Sequence, residues 1–244
     1  MEVIDCKWEI QNLKKRTVEI LIGNDDSFSK KSIEDAARGY EYVVIKVPAN
    51  KPLFNIGLQE MGFFLVETQI NICATYQDFD LSKIQNLSER TEYKVASNDS
   101  DLHSVVSMMT PGMFSTDRIA IDPAFGEVIG YQRYVNWITT EYKAGKSQLI
   151  RWIYDGEDVG FMLIKIEAGE IKTLLEGLYK PFQGKGLGYL TIASPLIYAH
   201  KEHLDITCAR TCISSNNVPV VKLHSRLGSK FTNMSYVFVK HVSI

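Results

Sequence analysis

Gln183-Gly184-Lys185-Gly186-Leu187-Gly188 lies between an apolar, β-like run and a helical one, and it constrains the fold more tightly than any other stretch of the chain. Glycine at 184, 186 and 188 lets the backbone turn sharply and approach a ligand closely. A helix beginning there aims its unpaired N–H groups and positive dipole end at the same point. The segment therefore predicts a bound anion, foremost a pyrophosphate, at a strand–turn–helix junction. Two nucleotide-binding readings lose ground. A Walker loop needs Ser or Thr after its lysine, and Gly186 follows Lys185; a dinucleotide-binding loop needs an acidic residue ending the next strand, and Asp205 precedes that run instead.

Composition narrows the partners. At 244 residues, 45% hydrophobic and 23% charged, the chain can bury the core of one large domain or two small ones. A formal charge of −2 supplies no broad basic field, which argues against nucleic acid or an anionic membrane surface as the main partner. Lys14-Lys15-Arg16 reads as a solvated face. Cys6, Cys73, Cys208 and Cys212 lack Cys-x-x-Cys spacing, and Glu2 and Asp5 open the chain without a long apolar segment, so a reduced, cytoplasmic setting and no metal site are expected. Cys208 and Cys212 share strand parity and read as small buried hydrophobes.

The element pattern divides the chain in two. Strands are expected at Val3–Ile10, Tyr42–Val47 and from Phe63 to about Tyr76, with a helix over Pro52–Met61 started by its proline. The polar stretch Asn86–Tyr93 reads as a linker, which gives a smaller N-terminal α/β domain over 1–92 and a second domain over 93–244. In the second, Asp99-Ser100-Asp101 offers caps for a helix carrying Leu102, Val105, Val106 and Met109, and another helix spans Phe125–Lys143. Strands follow at Gln148–Tyr154, Asp158–Ile166 and Glu170–Tyr179, the first pair joined by the hairpin signal Asp155-Gly156. Beyond the glycine turn come a helix to Lys201, a strand Asp205–Ile213, a helix Val218–Leu227 and a final strand pair around Phe231 and Tyr236–Val242.

Two motifs within 94–244 then stand at matching distance. Gln183-x-x-Gly186-x-Gly188 and Asn217-x-x-Val220-x-x-Leu223-His224-x-x-x-Gly228-x-x-Phe231 resemble the pyrophosphate loop and the second helix motif of the GCN5-related N-acetyltransferases. That resemblance implies an α/β (α+β) fold with a mixed, mostly antiparallel central sheet flanked by helices, and acyl-coenzyme A as co-substrate. It implies pyrophosphate contacts from Gln183, Gly184, Lys185, Gly186, Leu187 and Gly188, with Asn217 as a further coenzyme contact or an ordinary helix cap. The pantetheine arm is expected to lie along the strand ending at Leu178-Tyr179 as an added strand, with an amide at Leu178 or Tyr179 polarising the thioester carbonyl. The family places Tyr where this chain has His224; a protonated His224, or a neutral N–H donor, would take the general-acid role, and burial beside Val220, Leu223 and Leu227 is the packing alternative. Glu176, Asp117 and Asp122 are candidate bases, as is a water chain.

The run Leu58–Thr68 is similar to the N-terminal domain of the dTDP-fucosamine acetyltransferases. What this implies is a dTDP-linked amino-dideoxy sugar acceptor for surface polysaccharide, a homodimer, and an acceptor pocket lined from Met108 to Trp137. There Arg118 and Arg133 are expected to meet the diphosphate, with Phe114, Tyr131 or Tyr134 stacking on base or sugar. A protein amine or small amine as acceptor, and a module that binds coenzyme A without turnover, are the alternatives.

Overall fold

The computed structural model describes residues 1–79, 82 and 85–242. It forms two compact units, each built from more than one chain segment. The first takes Met1–Ile70, Ser214–Asn216 and the chain from Asn233; the second takes Asn71–Ile213 and Asn217–Thr232.

In the first unit the elements are β1 (Glu2–Asp5), α1 (Glu9–Leu13), β2 (Thr17–Leu21), α2 (Lys30–Ala37), β3 (Tyr42–Pro48), α3 (Pro52–Glu60) and the larger part of β4 (Phe64–Ala74). β1 pairs antiparallel with β2, and β2 runs parallel to β3 through the α2 crossover. Val18, Ile20, Val43, Ile45 and Val47 form its core with Ile33 of α2 and Phe54 and Leu58 of α3. Phe28 packs edge-on to Phe54 at 5.5 Å and lies directly over Gly57, where a side chain would collide with the ring. The expected strand Val3–Ile10 stops at Asp5, because Glu9–Leu13 coils into a short helix that buries Leu13. β2 and α2 have no counterpart in the sequence reading.

The second unit holds α4 (Gln85–Glu89), β5 (Thr91–Val95), α5 (Asp99–Met108), α6 (Arg118–Ile121), α7 (Gly126–Lys143), β6 (Gln148–Tyr154), β7 (Glu157–Glu167), β8 (Glu170–Leu178), α8 (Leu190–Lys201), β9 (Cys208–Ser214) up to Ile213, α9 (Val218–Leu227) and the start of β10 (Lys230–His241). Strand order is β9-β8-β7-β6-β5; β5 to β8 are antiparallel and β9 is parallel to β8. Alternating side chains feed two cores. Ile150, Trp152, Met162, Ile171 and Leu178 pack beneath α8 and α9, whereas Leu149, Phe161, Leu163 and Tyr179 pack against α5 and α7. The expected mixed, mostly antiparallel sheet flanked by helices is present.

Several local expectations shift. Asn98, rather than the acidic residues after it, caps α5 by accepting from Asp101 N–H. The polar stretch Asn86–Tyr93 is structured within the second unit: Thr91 is fully buried and opens β5, which pairs with β6. Asp155 and Gly156 both take positive φ (50° and 82°), as a tight hairpin turn requires. The final strand pair is one strand, β10. Of the two β9 cysteines, Cys208 is buried and Cys212 is exposed.

Candidate acyl-carrier site

The strand–turn–helix junction is built as its glycines predict. After β8 a 3₁₀ turn, Lys180–Phe182, leads into Gln183, and a second, Leu187–Tyr189, leads into α8. Gly184 and Gly186 have φ of 74° and 81°, a region that costs other residues about 1–2 kcal/mol, and nothing lies within 4 Å of where their Cβ atoms would stand. Residues 183–186 are exposed, and among the described residues no backbone carbonyl accepts from the N–H groups of Gly184, Lys185 or Gly186. These donors and the start of α8 suit a diphosphate. Leu187 is buried and anchors the turn, and Gly188 abuts Leu223 of α9, where a Cβ would stand 3.0 Å from Leu223 Cδ1. The Gln183 amide reaches back to donate to the Leu178 carbonyl at 3.0 Å, tying the turn to the end of β8. Lys185 Nζ lies 5.5 Å from the centre of the Phe182 ring.

The end of β8 is the second component. Tyr179 N–H donates to Val159 O at 2.9 Å, so beyond the irregularity at Leu163/Ile164, from Leu175 to Tyr179, the odd-numbered residues of β8 exchange bonds with β7. Main-chain groups of Glu176 and Leu178, which face Met162 and Gly160, therefore point away from β7, toward the β9 side. There β9 pairs with β8 only from Glu170↔Cys208 to Lys172↔Arg210, although β8 runs on to Leu178. The two parallel strands part, and the opening is edged by the N–H and C=O of Glu176 and the N–H of Leu178. Of the two amides expected to polarise a thioester, that of Leu178 is free to do so. Tyr179's is spent on Val159, and its side chain is fully buried, with burial raising the phenol.

α9 supplies the third component. Asn217 caps it, Oδ1 accepting from Val220 N–H at 3.4 Å, with Pro219 in the first turn. Gly228, φ 86°, ends it in a Schellman motif: Ser229 N–H donates to His224 O and Gly228 N–H to Ser225 O. That return lays the Ser229 hydroxyl 3.0 Å from His224 Nδ1. His224 is 2% exposed, and its Nε2 is buried with no hydrogen-bond partner among the described residues. Burial lowers its pKa from 6.5 to about 4, which favours the neutral imidazole, one of the two forms expected of it. Ser229 was not among the residues expected in the site; its signal is its place immediately after the helix-ending Gly228.

Of the candidate bases, two are engaged in local hydrogen bonds and one is buried. Glu176 faces Met162 and so lies in the core beneath α8; its Oε2 is buried without a partner, and burial pushes the carboxyl well above the usual carboxylate range. Asp117 Oδ1 accepts from Ile119 and Ala120 N–H to cap α6, while Oδ2 accepts from Tyr134 Oη at 2.9 Å. Asp122 Oδ1 accepts from Ala124 N–H.

The expected acceptor residues lie on the other face of β8. Phe114 rests against Gly177, its ring atoms 3.4 Å from where a Cβ would stand, and packs on Tyr134 with ring centres 4.7 Å apart. Tyr131 packs against the same core. Arg133 is buried, 3.8 Å from Asp117 and over the Tyr134 ring; Arg118 is buried at the start of α6. The turn, the β8 end and α9 thus meet at one place, and Met113 and Phe114 of the expected acceptor stretch lie against Gly177 on the other face of β8. Among the described residues no cluster of His, Cys, Asp and Glu is arranged to hold a metal, and no helix is long and apolar enough to cross a membrane.

No protein-family model matches the sequence, and no curated protein matches it. Solved structures do. A conserved protein of unknown function from Staphylococcus epidermidis superposes with a TM-score of 0.64 at 15% identity, over 96% of this chain and 88% of that one. A GCN5-related N-acetyltransferase from Sphaerobacter thermophilus gives 0.55 at 13% identity, over 83% of this chain and 61% of that one. The GCN5-related glucosamine N-acetyltransferase region of a fungal multi-domain β-N-acetylglucosaminidase gives 0.62 at 12% identity, over 98% of this chain and 31% of that one. With the parted β8 and β9 strands and the glycine turn, these likenesses establish that the chain has the fold of the GCN5-related N-acetyltransferases.

Proposed function

We propose that the chain is an acyl-CoA-dependent N-acyltransferase. The observation that carries this reading is the opening between β8 and β9, where the main-chain groups of Glu176 and Leu178 face a gap beside the exposed N–H groups of Gly184–Gly186. An extended amide-bearing arm adds to β8 as a strand would, and the turn holds the diphosphate at its far end. Acyl-CoA supplies the activated thioester. Leu178 N–H is directed at the carbonyl oxygen and stabilises the charge that develops there, while the buried face formed by Leu178, Leu187 and Leu223 excludes water. The amine nitrogen forms its bond to the carbonyl carbon, the C–S bond breaks with both electrons on sulfur, and the nitrogen's surplus proton leaves through water. With the Glu176 carboxyl buried and its pKa raised by that burial, and Asp117 committed to its cap, solvent is the base this reading uses.

The acceptor in this reading is the amine of a dTDP-linked amino-dideoxy sugar. Its support is the Leu58–Thr68 run and the amino-sugar acceptor named for the fungal neighbour. Residues 93–244 carry both sides of the reaction, and the acylated sugar serves surface polysaccharide. To test it, purified protein is incubated with acetyl-CoA or a hydroxybutyryl-CoA and the 3-amino and 4-amino dTDP-sugars, and the product is sought by mass spectrometry. The expected result is one acylated sugar nucleotide and an equivalent of free coenzyme; absence of product with every pair removes the acceptor. The neutral, buried His224 favours one second reading, coenzyme binding without turnover. Single-turnover acyl transfer to any amine excludes it.

A further inference from the structure

The free edge of β8 ends unevenly, and one side chain makes it so. From Glu176 on, the groups turned away from β7 are, in order, the N–H and C=O of Glu176 and the N–H and C=O of Leu178. All but the last edge the opening toward β9, which pairs with β8 only as far as Lys172. The last, the Leu178 carbonyl, accepts from Gln183 Nε2 at 3.0 Å. The same peptide unit donates on its other side, from Tyr179 N–H to Val159 O at 2.9 Å, so it is pinned at both ends. Glu176 thus presents a donor and an acceptor, whereas Leu178 presents a donor alone. A chain added to such an edge pairs through amide N–H and C=O groups, but a thioester carbonyl brings an acceptor and no N–H.

We infer that Gln183 sets the register of the acyl carrier: by occupying the Leu178 carbonyl, it reserves the last open position of the β8 edge for a carbonyl that carries no N–H, the thioester. This rests on the acyltransferase reading and deepens it. If the arm slipped along β8 so that one of its amide N–H groups came to the Leu178 carbonyl, that donor would find the acceptor taken and lose its partner. An arm that ends at Leu178 in a thioester makes no such demand. In that register an amide of the arm pairs at Glu176, and Leu178 N–H meets the thioester oxygen where charge develops. Gln183 touches no reacting atom and acts through Leu178, which makes it a positioning residue.

Spectroscopy, calorimetry and kinetics on the full chain test it, with acetyl-CoA labelled with ¹³C at the thioester carbonyl as the probe. Gln183 is exposed, so Gln183→Met, which keeps the length and removes the donor, leaves the core untouched. In isotope-edited infrared spectra taken without an amine, the bound carbonyl band should lie below that of free acetyl-CoA in the wild type and return toward it in Gln183→Met. Calorimetry should find the affinity for acetyl-CoA unchanged within about twofold, since a slipped arm still pairs with β8, while kcat falls about tenfold with KM little altered. Gln183→Ala should behave alike; a band that moves in Gln183→Met only assigns the effect to the new side chain and overturns the inference. A band indifferent to both substitutions overturns it too, as does a raised KM at unchanged kcat, which would make Gln183 a plain binding contact. If the protein binds acetyl-CoA yet acylates no amine, the function fails while the carbonyl band still decides the register. If it binds no acetyl-CoA, both fall.

Discussion

Gly186 and His224 are each held in a state their neighbours impose, and each can be probed by one substitution. At Gly186 a side chain has space but the wrong φ, so Gly186→Val should cost about 1–2 kcal/mol of stability and leave the chain folded. Its branches would stand over the exposed amides, and calorimetry should show coenzyme affinity reduced more than tenfold. His224 has a folded-state pKa of about 4 against an ordinary 6.5. The unfolded chain thus protonates first, and the stabilising contribution is whole above about pH 6.5 and is lost as pH falls toward 4, by up to about 1.4 kcal/mol per unit. The melting temperature of His224→Phe should decline less than that of wild type between about pH 7 and pH 4.5. No imidazole titration should appear in the rate on the alkaline side. The glycines and the Asn217 cap were legible in the sequence because turn and cap chemistry is decided within a few residues. The neutrality of His224 was not, because it comes from burial, and Ser229 stood outside the motif that drew attention to its helix.

At the level of elements, the geometry that matters is the parting of β8 from β9, and glycines support it from behind. Gly160, on β7 opposite Leu178, has no room for a side chain: a Cβ would collide with the Gly177 carbonyl oxygen and press on Trp152. Gly160→Ala should therefore destabilise the chain by about 1–3 kcal/mol in denaturant unfolding and displace the Leu178 amide, lowering kcat along with stability. Gly177→Ala meets the flexible end of Met113 instead and should be milder. The strands β6, β7 and β8 and helix α9 were readable because alternation, a hairpin turn and two caps agree over each. β2 and α2 were missed because each is short and α2 buries only Ile33. Asn86–Tyr93 was misleading for a related reason: α4 buries none of its residues and β5 is an outermost strand, so their polar composition looks like a connector's.

For the molecule as a whole, three hydrophobic interiors organise the described residues, and the one beneath α8 draws on chain from Ala74 to Leu227. Ala74 and Phe79 belong to the interior beneath α8, and Tyr76 and Leu87 pack against it. A fragment spanning 93–244 lacks all four and the opening residues of β5, so it should show dispersed-spectrum loss and dye binding typical of incomplete packing. A well-dispersed amide spectrum from that fragment would contradict this. The fold class was legible because element order and a few turns specify it; which segments share an interior was not, since that depends on contacts distant in sequence. The outward-facing amides of β8 carry one last implication. A grip made by peptide groups is indifferent to which side chains hang from them, provided the strand keeps its course and the turn keeps its missing Cβ atoms. A framework of this kind survives almost complete turnover of residue identity, which is how the architecture can be shared at 12–15% identity.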